Sequence, residues 1–203
     1  MALLPPSRRS VATRSATSLA GTVKAQAVTL GAPLGVSWLT LGADTLLGGA
    51  LTPYGIVPRT ESGLRGILFA PFLHGNVAHL AANSVSLLVL GWLVLVFAGR
   101  RRFWGISAAA ALGAGLTAWT LGAPGSVHLG ASGVIFGYLG YLMLSGWFAR
   151  RVMPILVSLG VTGMWGGMVL GVLPGQPGIS WQAHLGGFVG GVLAARWLHA
   201  RGR

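Results

Sequence analysis

The chain has no cysteine and only two acidic residues, Asp44 and Glu61, in 203 positions. Without thiols there is no disulfide framework, no zinc–thiolate site and no cysteine nucleophile. A single aspartate excludes an aspartic protease, which needs two. The missing H-E-x-x-H string excludes that type of zinc protease. A Ser-His-Asp triad has almost no third member to draw on. The opposite charge is abundant: 14 Lys and Arg give a net charge of +12.

What is present is apolar. Hydrophobic residues make up 53% of the chain and the mean hydropathy is +0.73, outside the range of soluble domains. The arginines stand in short clusters between long apolar runs, a placement that suits anionic lipid headgroups and sets nucleic-acid binding aside. Runs of spanning length fall at about 27–52, 77–97, 103–121, 129–149, 152–173 and 181–199, against about 20 residues needed to cross about 30 Å of hydrocarbon. The expected fold is an all-α, six-transmembrane-helix bundle in one domain, 27–199. A basic, Ser/Thr-rich tail at 1–26 is expected to be disordered, and a short tail follows at 200–203. Arg8, Arg9, Arg14 and Lys24, then Arg100 to Arg102, Arg150 with Arg151, and Arg196, Arg201 and Arg203 all fall on one side if both termini are cytoplasmic. The expected topology is N-in, C-in.

The connections left outside are Pro53 to Asn76, Gly122 to His128 and Pro174 to Ser180. The first is long and mixed in character, and should lie partly in the membrane interface. Glycine accounts for 34 residues. Small residues four apart let membrane helices approach closely, so Gly133 and Gly137 with Gly187 and Gly191 predict contact between the fourth and sixth spans.

Polar groups at membrane depth are costly and therefore informative. Span two opens with His74, Gly75, Asn76, His79 and Asn83, span four with Gly130, Ala131, Ser132 and Gly133, and span six with Gln182, Ala183 and His184. At about 1.5 Å per residue, Ser132 is about 27 Å from Arg150 and His184 about 25 Å from Arg201, which gives them similar depth. Each has a bland reading alone: the serine bonding back to its own helix, the histidine packing or capping. Together they make a nucleophile and a base whose ordinary pKa lies near neutrality. The helix start at Ser132 offers backbone N–H groups to a developing oxyanion, and His79 and Asn83, one turn apart, can add side-chain donors. With so few acids, a Ser-His dyad is what remains.

The strings HGNVAHLAANSVSLLVLG at 74–91, GASGVIFGYLG at 130–140 and AHLGGFVGG at 183–191 occur in an order that resembles the rhomboid family of intramembrane serine proteases. The resemblance runs from about residue 50 to 199. It implies that Ser132 is the nucleophile, that His184 is the general base, and that His79, Asn83 and the Ser132 N–H line the oxyanion hole. It further implies supporting roles for His74, Gly130, Gly133, Gly187 and Gly191. Many members carry a Trp-Arg pair in the first outer loop; here Arg65-Gly66 stands in roughly that place without a Trp, which removes the basis for a loop-anchoring role for Arg65. Phe136 stands where some members have Tyr, keeping a ring to pack on the histidine. The activity so implied is cleavage of transmembrane segments of other proteins near the outer face, in the inner (plasma) membrane, with no metal or cofactor and with the lipid bilayer and membrane-protein substrates as partners. A silent relative that binds membrane helices without cutting them is the alternative. A carrier using His74, His79 and His184 is disfavoured by the scarcity of acids.

Overall fold

A computed structural model describes residues 8–200, with side chains from Ala20 onward. The ends of the two expected tails, 1–7 and 201–203, lie outside the described residues. Seven α-helices follow one another: α1 (Arg8–Leu46), α2 (Glu61–Phe69), α3 (Val77–Ala98), α4 (Arg100–Leu121), α5 (Ser132–Ala149), α6 (Val152–Trp165) and α7 (Trp181–Ala200). Short 3-10 turns occupy Thr52–Tyr54 and Ala70–Phe72, and a longer one, Gly166–Val172, prolongs α6. Among the described residues the only extended pairing is an isolated bridge between Ile56 and His128.

Among the described residues, three segments are long and apolar enough to cross a membrane, by length and composition: Val77–Ala98, Ser132–Ala149 and Val152–Val172. The last is covered by little else: Val152, Met153, Leu156, Leu159 and Met164 are all exposed. A contiguous apolar face of that kind requires lipid or a partner to cover it. α4 and α7 are less apolar because glycine, alanine and arginine make up much of them.

The first helix differs from expectation at both ends. It is already helical at Arg8, the first described residue, so part of the stretch read as a disordered tail is continuous with the apolar run. It stops at Leu46 and not near 52. Gly48 and Gly49 adopt φ of 65° and 88°, a left-handed turn that glycine enters without steric cost. The Asp44 carboxylate then accepts from the Leu51 N–H at 2.6 Å and the Thr52 hydroxyl at 3.0 Å, folding the chain back.

The connection between α1 and α3 contains a helix of its own. Thr60 caps α2 by accepting from the Gly63 N–H at 3.0 Å, with Glu61 in the first turn. α2 packs against α4, and the Trp119 indole of α4 donates to the Thr60 carbonyl at 2.9 Å. An indole therefore does anchor this loop, contributed by a neighbouring helix. Arg65 lies over the Tyr54 ring at 4.7 Å, tying α2 to the preceding turn.

The centre of the bundle is α5, packed on α7, α6, α4 and α3. Its contact with α7 is made through glycine. A Cβ at Gly187 would strike the Gly133 carbonyl, one at Gly191 the Gly137 carbonyl, and one at Gly137 the Ala110 side chain. α4 and α7 meet through Gly113 and Gly186 in the same way. The spacing of small residues thus brings the fourth and sixth expected spans together. Between α5 and α6, Ser158 Oγ donates to the Leu142 carbonyl at 2.7 Å and accepts from the Gly146 N–H at 2.9 Å.

Candidate active site

Ser132 is the first residue of α5, and His184 is in the first turn of α7. The glycine contacts that hold these helices together put His184 Nε2 2.8 Å from Ser132 Oγ. The other ring nitrogen, Nδ1, lies 3.0 Å from the Gly171 carbonyl oxygen. A carbonyl can only accept, so Nδ1 carries the hydrogen and Nε2 is left to accept from the serine hydroxyl. That is the tautomer a general base needs. In triads a carboxylate fixes it; here a backbone oxygen does.

Gly171 belongs to the 3-10 segment that prolongs α6. A Cβ there would meet Phe136 Cζ at 2.8 Å and His184 Nδ1 at 3.3 Å, so a side chain would push this carbonyl off the imidazole. Phe136, one turn after Ser132, stacks on the His184 ring with centroids 3.9 Å apart and planes 10° from parallel. The histidine is held by a ring on one face and a backbone acceptor at its edge. The ring role expected for Phe136 matches its position. The part of Gly171 was not foreseen, because any residue type offers a carbonyl; the scarcity of acids was the one hint that a backbone acceptor was needed.

The serine is approached by a loop whose course is fixed before the helix begins. The Gly130 N–H donates to the Ala70 carbonyl at 2.8 Å, and the Ala131 N–H to His74 Nε2 at 3.3 Å. Gly130 has φ 114°, and a Cβ there would meet the His79 ring at 2.8 Å and Asn83 Nδ2 at 3.4 Å. The position needs glycine both for its backbone and for space. No side chain caps α5, so the first-turn N–H groups stay available at the serine.

Asn76 caps α3 by accepting from the His79 N–H at 2.8 Å, and so sets where the His79 and Asn83 pair begins. Both side chains converge on Gly130, two residues from Ser132. Asn83 is buried, and among the described residues its Nδ2 has no hydrogen-bond partner. A buried amide donor without a protein partner is costly, and Asn83 lines the same cavity as Ser132, where a bound group could accept from it.

His74 is 3% exposed, and its ring meets His79 edge-on at 5.1 Å. Burial, reinforced by the neighbouring His79, holds the His74 imidazole down at about 4, below its ordinary 6.5. It is thus neutral near pH 7, with Nε2 free to accept from Ala131. His128 is a junction between segments. Its Nδ1 is 2.6 Å from Ser180 Oγ and its Nε2 3.0 Å from Ser126 Oγ, while its backbone bridges Ile56. Ser180 Oγ in turn accepts from the Ala183 N–H at 3.4 Å, at the start of α7. Burial lowers the His128 pKa as well.

Ser132, His184, His79, Asn83 and Phe136 line one cavity of about 710 Å³, together with Met168 and the segment Gly178 to Ser180. The cavity has room for a peptide segment, with the serine, the imidazole and the amide donor on its wall.

Comparison with known proteins agrees with the three sequence motifs. A family profile described as Rhomboid domain matches residues 61–201. An uncharacterized protein of Mycobacterium tuberculosis is 46% identical over 166 residues, covering 77% of this chain and 68% of that protein. An uncharacterized protein of Mycobacterium leprae is 44% identical over 145 residues, 68% and 57% of the two chains. Rhomboid-like protein 11, chloroplastic, of Arabidopsis thaliana is 31% identical over 90 residues, 43% and 32% of the two.

Proposed function

This chain belongs to the rhomboid family, and from that premise we propose that it is an intramembrane serine endopeptidase working through a Ser132–His184 dyad. The observation that carries the reading is the pair of contacts on one imidazole, 2.8 Å to Ser132 Oγ and 3.0 Å to the Gly171 carbonyl. Ser132 attacks a peptide carbonyl while His184 Nε2 takes the hydroxyl proton. The tetrahedral oxyanion is met by the Ser132 N–H, Asn83 Nδ2 and His79. His184 then passes the proton to the leaving amine, and water deacylates the serine with His184 again as base. The imidazolium formed in each half-reaction is supported by the Gly171 carbonyl and the Phe136 face, not by a carboxylate.

The substrate is the transmembrane segment of another membrane protein. A helix hides its carbonyls, so the segment has to unwind in the cavity, where irregular backbone can be satisfied by polar groups. Small or helix-breaking residues near the cut favour that step. The protease is embedded through six spans, made by α1, α3, α4, α5, α6 with its 3-10 extension, and α7, in a single domain. Both termini face the cytoplasm of the cell's inner membrane, and the dyad lies toward the outer face. The arginine clusters support this orientation.

A fluorophosphonate probe on the reconstituted protein tests the nucleophile: the adduct should map to Ser132 and form far more slowly in His184→Ala. An adduct elsewhere, or equal labelling in His184→Ala, contradicts the dyad. Single-cysteine labelling on this cysteine-free background tests orientation, with position 101 expected to react only from inside and position 125 only from outside.

A further inference from the structure

A cavity larger than the one at Ser132 and His184 lies away from them. It is a groove of about 1080 Å³ along the outer side of the α4–α7 contact. Its floor includes Gly105 and Gly113 of α4 with Gly186 and Gly190 of α7, and its walls are apolar, among them Val189 and Leu193. Arg101, Arg102 and Trp197 stand together at one end. We propose that this groove holds an acidic phospholipid of the inner leaflet, with its phosphate at Arg101 and Arg102 and an acyl chain lying along α7. The proposal rests on the membrane-embedded reading and not on the protease reading.

Three observations favour that occupant. The first is charge. The chain's only acids are at the other end of the bundle, Asp44 folding the turn after α1 and Glu61 opening α2. Gln182, at the start of α7, donates to the Leu121 carbonyl at the end of α4, so Arg101 and Arg102 lie at the far ends of both helices from that junction. Neither acidic side chain of this protein is placed to neutralise them, whereas a lipid phosphate can. The second is length. The α7 wall runs from Leu185 to Leu198, about 20 Å at 1.5 Å per residue, enough to match the about 15 Å depth of one leaflet. The third is Trp197, which stands beside the arginines and is a residue type that settles at the headgroup level.

Gly105 offers a clean perturbation, because a Cβ built there meets nothing within 4 Å. A larger side chain would fill the groove without striking the fold, and Leu193→Trp would fill it from the other wall. The test is native mass spectrometry of the full chain, released from bilayers of phosphatidylglycerol and phosphatidylcholine with matched acyl chains. Wild type should retain phosphatidylglycerol selectively. Arg101→Gln with Arg102→Gln should retain it about 30-fold less, equivalent to about 2 kcal/mol at about 1 kcal/mol per basic residue. Gly105→Leu and Leu193→Trp should lose it although both arginines remain, while melting in phosphatidylcholine is unchanged. Equal retention of the two lipids by wild type would overturn the proposal. Undiminished retention in both groove-filling variants would also overturn it, by reducing the site to surface charge. If those variants instead raised KM for a single-span substrate equally in both lipids, the groove would be a peptide site and the proposal wrong.

Discussion

Replacing Gly171 by alanine isolates the role of a carbonyl that stands where a triad has its acid. The added Cβ would lie 2.8 Å from Phe136 Cζ and 3.3 Å from His184 Nδ1, so the 3-10 segment must retreat by some tenths of an ångström and lengthen the 3.0 Å contact to the imidazole. In the proposed mechanism that contact bears on the charged ring. A hydrogen bond to a charged group contributes about 1.5–3 kcal/mol, so its loss should lower kcat by about 10- to 150-fold. KM should change little, because Gly171 faces the histidine and not the peptide. The assay is steady-state cleavage of a fluorescent single-span substrate in liposomes, with thermal melting to separate chemistry from folding. Phe136→Leu removes the nearest obstructing atom, so Gly171→Ala in that background should cost less than it does alone. Unchanged kcat in a folded Gly171→Ala protein, or simple additivity with Phe136→Leu, would refute the reasoning.

Asn83→Ala should lower kcat by about 10²–10³-fold, the loss typical of one oxyanion donor, with KM nearly constant; a pure KM effect in the same assay would argue against that role. Gly187→Val should lower the melting temperature sharply, because its side chain meets the Gly133 carbonyl and overpacking at a backbone contact costs about 1–3 kcal/mol or more; Gly160→Val, where a Cβ meets nothing, should not. His74 has a folded pKa of about 4, below its ordinary 6.5. Its contribution to stability is therefore fully present above pH 6.5 and is lost as pH falls from there toward 4. Denaturation followed across that window should show a fall in stability that His74→Gln flattens.

How much of this was legible in the sequence follows from which groups carry a signature. Glycines four apart on two apolar runs announced the α5–α7 contact, and helix rise alone put Ser132 and His184 at matching depth. Phe136 was expected as a ring against the histidine only through the family resemblance. Gly171 was not, since its function is a carbonyl that every residue possesses. Trp119 was missed because it anchors the Thr60 loop from a helix 59 residues away, a relation that no local pattern encodes. The end of α1 at Leu46 was misplaced because hydropathy runs on smoothly to Leu51, while the break is made by Gly48, Gly49 and the Asp44 side chain. α2 was read as a mixed interfacial stretch; its helix depends on the Thr60 cap and on α4 behind it.

The dyad makes one demand that no purely binding relative would meet. Reconstituted wild-type protein should cut a single-span substrate containing small, helix-breaking residues, with fragments identified by mass, and both Ser132→Ala and His184→Ala should abolish the cut while leaving the substrate bound. Cleavage by Ser132→Ala at the wild-type rate, or substrate capture by wild type with no cleavage at all, would contradict the account.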